Sequence, residues 1–168
     1  PMAGTVQNPV SGESIRINRR RQNPLLPQKS LTAAQMRRQF QPCCLTVYVN
    51  TSCNLACHYC YAFSNRVNNT GLIDLDAVRA GARFVADCCA ERHVPFVLGF
   101  HGGNEPLLKP EIIDECVEIC AALARQRGLE LFPVCTTNGV VSTETATWAA
   151  RTFKGMTISW DGPPEFHD

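Results

Sequence analysis

The sequence predicts an α/β fold on a parallel sheet, either open or curled toward a barrel. Two patterns and a length predict it. Short apolar and β-branched runs alternate with segments of helical period, in the order β-α-β-α-β-α-β, and such alternation implies right-handed crossovers between parallel strands. Each run is followed at once by a polar or Gly-rich cluster. At 168 residues and 45% hydrophobic, the chain is long enough for one sizeable domain, which spans roughly 100 to 200 residues.

Taken in order, residues 1–42 are rich in Gln, Asn, Pro and Arg with little apolar periodicity. They read as a basic, disordered arm, with one short helix conceivable between Leu31 and Phe40. From Cys43 to Asp168 the pattern is regular. The run from Cys44 to Asn50 is short, β-branched and aromatic, and reads as a strand. After a Cys-rich loop, Asp74 is placed to cap a helix through about Arg92, whose Val78, Ala82, Val85 and Cys89 recur at helical spacing. Pro95 to Phe100 is nearly all apolar, as a strand buried on both faces should be. A second helix opens at Lys109-Pro110 with Ile112, Cys116, Ile119 and Leu123 on one stripe, and Gly128 closes it at C′. A strand from Leu129 to Cys135, a turn at Asn138-Gly139, a helix from about Thr143 to Thr152 and a strand from Met156 to Trp160 complete the series.

Charge divides the chain the same way. Residues 1–42 hold seven Lys/Arg against Glu13 alone, net +6, while the remainder holds nine bases and fourteen acids, net −5. A net +1 with 18% charged residues fits neither a charged disordered polymer nor a basic nucleic-acid coat. The start lacks a basic segment followed by an apolar one, and no run approaches the 18 or so apolar residues of a membrane helix, so neither export nor membrane association is expected. A cytoplasmic protein is the default. The absence of an initiator Met and an end straight after a turn read as a fragment. The chain has ten cysteines, and in a reducing compartment clustered ones are expected to bind metal or do chemistry rather than pair.

Parallel strands share one C-terminal edge, so the four clusters that follow them converge on the rim where α/β proteins place their sites. The first cluster is the most specific. Cys53, Cys57 and Cys60 form C-x3-C-x2-C, close enough in sequence for three thiolates to surround one metal centre. Structural zinc needs a fourth ligand, and no second pair stands downstream. His58 or Cys43 would have to complete it. Covalent haem attachment needs C-x-x-C-H, and Tyr61 occupies the His position. Thioredoxin-like chemistry would leave Cys53 idle. A 4Fe-4S cluster bound by three thiolates would keep its fourth iron open.

With Tyr59 as the aromatic, this loop resembles the C-x3-C-x-aromatic-C signature of radical S-adenosylmethionine (SAM) enzymes. Gly102-Gly103-Asn104-Glu105-Pro106 is similar to that family's GGGEP form, with Asn104 in place of one glycine. Thr137-Asn138-Gly139 and Ser159-Trp160-Asp161-Gly162-Pro163, followed by His167-Asp168, resemble segments of the branch that includes anaerobic sulfatase-maturating enzymes and ribosomal-peptide maturases. The four motifs fall in the family's order over residues 44–168.

The resemblance implies the first four βα units of a partial, TIM-like (β/α)6 barrel, ending after an unpaired fourth strand. It implies a 4Fe-4S cluster on Cys53, Cys57 and Cys60, and SAM as second cofactor, with reductive cleavage of SAM and hydrogen abstraction from substrate. SAM contacts would come from Tyr59, Gly102, Gly103, Asn104, Glu105 and Pro106, the methionyl amino group lying on that glycine-rich loop. Asn138, Ser159 and Asp161 would lie on the same ligand, the last two near the ribose. The implied partners are a peptide or protein substrate and a reductant such as flavodoxin or ferredoxin, with no nucleic acid and no membrane. A small-molecule substrate is the alternative within the class, and a non-catalytic zinc module the alternative outside it. Cys88, Cys89, Cys116 and Cys120 on the helices, with Cys44 and Cys135 in strands, read as core packing. Cys43 has no assigned role, and His58 and His101 are expected as loop residues beside the site.

Overall fold

The computed structural model describes residues 5–7, 14–16, 32, 40–57, 59–60, 71–102, 104–160 and 162. The chain divides into two compact units, Pro1–Met36 and Arg37–Asp168. In the first, β1 (Thr5–Gln7) and β2 (Ser14–Arg16) pair antiparallel, a local pairing that the composition of the arm does not announce. The helix considered between Leu31 and Phe40 lies outside the described residues apart from Thr32 and Phe40. The second unit takes in residues ahead of Cys43. Arg92 donates from Nη1 to the Gln41 carbonyl at 2.9 Å, and the Phe40 ring stacks on Phe84.

The second unit runs β3 (Cys44–Val47), α1 (Leu75–Arg92), β4 (Phe96–Phe100), a single 3-10 turn (Pro106–Leu108), α2 (Pro110–Gln126), β5 (Leu131–Thr137), α3 (Thr143–Thr152) and β6 (Gly155–Ile158). The strands form one four-stranded sheet in the order β3-β4-β5-β6, parallel throughout. The predicted class holds: four parallel strands alternate with helices in a partial α/β barrel.

Local chemistry sets the helix ends. The Asp74 side chain accepts the Asp76 N–H at 2.9 Å and starts α1, satisfying one of the amides a helix start leaves open. Pro110 opens α2, where its missing N–H costs nothing. Gly128, at φ 66°, lets the chain reverse so that the Leu129 N–H returns to the Ala124 carbonyl at 2.9 Å. Ser142 caps α3 by accepting the Thr145 N–H at 3.1 Å.

The core lies between the sheet and its helices. Phe96, Leu98 and Phe100 of β4 are fully buried, each contributing about 1.5–3 kcal/mol by leaving water. The Phe153 ring meets both Phe100 and Trp148 edge-on at 5.8 Å, the geometry aromatic quadrupoles favour. Cys88, Cys89, Cys116, Cys120 and Cys135 are buried free thiols, as expected of small hydrophobes. Cys44 corrects the sequence reading: it is exposed, because it shares the open face of β3 with Thr46 while Leu45 and Val47, on the other face, pack into the core. On α2 the buried stripe is Ile113, Cys116, Cys120 and Ala124 rather than Ile112, Cys116, Ile119 and Leu123. Beyond Ile113 the inward residues are two cysteines and an alanine, and small side chains let a helix approach its neighbours closely.

Strand limits also shift. β3 stops at Val47, beyond which Asn50 bridges antiparallel to Leu72. β5 runs two residues past the expected Cys135, because Thr136 and Thr137 pair with Thr157 and Ile158. β6 is exposed along its length, the open strand that was expected. No helix among the described residues is long and apolar enough to cross a membrane.

Candidate functional site

The loops that follow the four strands meet at the C-terminal edge of the sheet, and two buried side chains bind three of them together. Asn50, just past β3, is 4% exposed. Its Oδ1 accepts the Ser52 N–H at 2.6 Å, its Nδ2 donates to the Glu105 carbonyl at 3.0 Å, and its own carbonyl accepts from Asn104 Nδ2. The Glu105 N–H in turn reaches the Ser52 carbonyl at 2.9 Å.

Glu105 is 1% exposed. Its Oε1 accepts the Leu107 N–H at 3.0 Å and the Thr137 hydroxyl at 2.8 Å, and its Oε2 accepts the Asn138 N–H at 2.8 Å. A buried carboxylate is tolerable when donors surround it, and here those donors come from the loop after β4 and from the end of β5. Pro106 follows it, buried at the start of the 3-10 turn. Gly102 holds φ 102°, a conformation that costs a side-chain-bearing residue strain, and a Cβ there would lie 2.4 Å from the Tyr48 ring.

The cysteine loop is pinned from the opposite side. The Cys60 N–H donates to the Cys57 carbonyl at 3.1 Å. The Leu55 N–H donates to Cys53 Sγ at 3.4 Å, and Asn138 Nδ2 approaches the same sulfur at 3.7 Å. Asn54 donates to the Val140 carbonyl at 2.7 Å and accepts from Asn138 Nδ2 at 2.8 Å.

A cavity of about 320 Å³ opens between these loops. Cys53, Cys57, Tyr59 and Cys60 line it from the first loop, His101, Gly102, Asn104 and Glu105 from the second, Asn138 from the third and Ser159 from the fourth. Of the residues expected at the site, all three cysteines and Tyr59, Gly102, Asn104, Glu105, Asn138 and Ser159 are therefore brought together. Pro106 is packed beneath rather than at the wall. Gly103, Asp161, His58, Pro163, His167 and Asp168 lie outside the described residues. The fastening of the rim by Asn50, Ser52, Asn54 and Thr137 was not foreseen. Their signal was weak: they lie in or beside the polar clusters after the strands, where a sequence does not tell a side chain that fastens a loop from a solvated one.

Two details bear on what the cavity can hold. Asn104 Oδ1 is buried and has no hydrogen-bond partner among the described residues, an arrangement that costs about 1–3 kcal/mol unless a donor arrives. In addition, among the described residues no three His, Cys, Asp or Glu side chains are grouped to hold a single metal ion. The three thiols instead face a shared space.

Parallel βα units with a thiol-bearing loop after the first strand and a Glu-Pro loop after the second make a partial α/β barrel, consistent with the truncated barrel of radical SAM enzymes. Comparison with solved structures points the same way. A structure described as native anSMEcpe with bound AdoMet matches with a TM-score of 0.58 and 25% identity, over 74% of this chain and 33% of that one. A histidine-tagged form of the same protein with bound AdoMet matches with a TM-score of 0.58 and 24% identity over the same shares. These neighbours are anaerobic sulfatase-maturating enzymes, radical SAM proteins, and so fall in the branch that the sequence motifs resemble. The chain spans about one third of their length. No family model and no curated protein matches the sequence.

Proposed function

We propose that the chain is the cofactor-binding part of a radical SAM enzyme that abstracts hydrogen from a peptide or protein side chain. What carries the reading is one cavity walled by three thiols, a glycine-turned loop and the ends of two further strands. The donor set fits a 4Fe-4S cluster: three thiolates can each take a different iron, so they need only share a space and need not converge on one ion. Cys53, Cys57 and Cys60 would hold the cluster. Asn104 Oδ1, buried without a partner, fits the donor groups of SAM, and the Gly102 backbone permits close approach. Bound together, cluster and SAM supply reductive cleavage of the sulfonium and a hydrogen-abstracting species.

The residues of the chain do the positioning. Glu105 locks the loop after β4 to the end of β5, fixing the width of the cavity. Leu55 and Asn138 aim hydrogen-bond donors at the Cys53 sulfur. Tyr59, 45% exposed, stands at the rim beside Cys60, where it would shield the ligand from water. The substrate class rests on the sulfatase-maturating neighbours, and a flavodoxin or ferredoxin in a reducing cytoplasm would deliver the electron.

Anaerobic reconstitution of the full-length protein with iron and sulfide, followed by reduction in the presence of SAM, tests the reading. A low-spin cluster signal that SAM perturbs, and that is lost on Cys→Ala replacement at 53, 57 or 60, is expected. Stoichiometric zinc without iron in anaerobically purified protein overturns it.

A further inference from the structure

Asn138 is fixed at more points than a turn residue needs. Glu105 Oε2 holds its backbone N–H at 2.8 Å. Its side-chain Oδ1 accepts the Val140 N–H at 2.8 Å, which settles which end of the amide is oxygen, since a backbone N–H cannot be met by an NH2 group. Nδ2 must therefore point the other way, where it meets Asn54 Oδ1 at 2.8 Å and Cys53 Sγ at 3.7 Å. An NH2 group carries two hydrogens, so both contacts can be made at once. The Leu55 N–H, 3.4 Å from the same sulfur, adds a second donor from within the cysteine loop. One sulfur of the triplet thus receives a donor from the loop after β5, at a sequence distance that no local turn would produce.

We infer that Asn138 is a positioning residue that acts through the Cys53 sulfur to raise the reduction potential of the cluster; this rests on the function proposed above. Hydrogen bonds to ligating sulfur are one of the levers that set cluster potential. Reduction adds negative charge, part of which falls on the thiolates. A donor held against that charge stabilises the reduced form more than the oxidised one, as charge-assisted hydrogen bonds are the stronger ones. The Asn54 and Val140 contacts keep the donor in place, so that no side-chain freedom has to be surrendered on reduction.

Redox titration of the reconstituted, full-length, SAM-free protein, followed by electron paramagnetic resonance, reads the effect. Asn138→Leu removes the donor, and Asn138→Asp retains an oxygen for the Val140 N–H while removing the NH2 group. Both are expected to shift the midpoint to more negative potential at unchanged iron content, lowering the reduced-to-oxidised ratio about fivefold at a fixed potential between the two midpoints. Equal midpoints in wild type and both variants, with clusters formed in all three, overturn the inference and leave the proposed function standing. No cluster in the wild type overturns both. Should the variants alone fail to assemble, wild-type protein labelled with side-chain 15N-asparagine answers in their place. Hyperfine coupling of the reduced cluster to a labelled amide nitrogen is expected, and its absence overturns the inference.

Discussion

Burying a carboxylate costs several kcal/mol unless its lone pairs are met, and at Glu105 every partner is a donor: two backbone N–H groups and one hydroxyl. The motif that the sequence announced as ligand-binding is thus also a fastening between loops. Replacing the acid by its amide tests that second task. In Glu105→Gln one oxygen becomes an NH2 group that faces a donor, so a buried N–H or hydroxyl loses its acceptor. A loss of about 1–3 kcal/mol is expected in urea unfolding of the SAM-free protein. Affinity for SAM should fall with it, because Asn138 and Gly102 are no longer held at a fixed separation. Unchanged stability with lost affinity would instead assign Glu105 to the ligand alone.

At the scale of elements, the helix caps show what a sequence makes legible. Asp74 and Gly128 act within a few residues of themselves, and local chemistry decides them. Strand limits and helix faces answer to partners that lie far away. Thr136 and Thr137 look like loop residues in sequence and become strand because β6 is present to pair with them. Cys44 is exposed because it falls with Thr46 on the face of β3 turned away from the core, opposite Leu45 and Val47. The same division holds at the site. The cysteine triplet and the glycine-rich loop are contiguous motifs and could be read directly, whereas Asn50 and Thr137 acquire their roles by meeting Glu105 across the rim. For α3, the Ser142 cap supports a helix that carries Trp148 into the aromatic group around Phe153. Ser142→Ala should cost about 1 kcal/mol, seen as a lower denaturant midpoint with an unchanged slope. A changed slope would mean that α3 unfolds separately.

For the molecule as a whole, the cysteines outside the triplet set an alkaline limit. Burial pushes the thiols of Cys120 and Cys135 up to about 12. For Cys89 and Cys116 burial again acts first and raises them to about 11. In the unfolded chain these thiols ionise near their ordinary value of 9.0. Between those values the folded chain keeps protons that the unfolded chain has released, so stability is full below about pH 9 and falls as pH climbs through the folded values. Urea midpoints measured from about pH 8 to about pH 11 should decline, and a Cys120→Ala, Cys135→Ala double variant should decline less steeply. An equal slope in both proteins would place the alkaline weakness elsewhere.

The order β3-β4-β5-β6 across the sheet is also the order of the strands along the chain. Parallel sheets are slow to form when their pairings must be found at random over long loops, but this order removes the search. As the polypeptide leaves the ribosome, each new strand meets one edge already laid down and a helix just completed to cover it, so the sheet can grow during synthesis from β3 outward. The thiols of the first loop are then translated before Glu105, Thr137 and Ser159, which wall the same cavity from later loops. The loop that bears the thiols is thus complete before the cavity it lines can close.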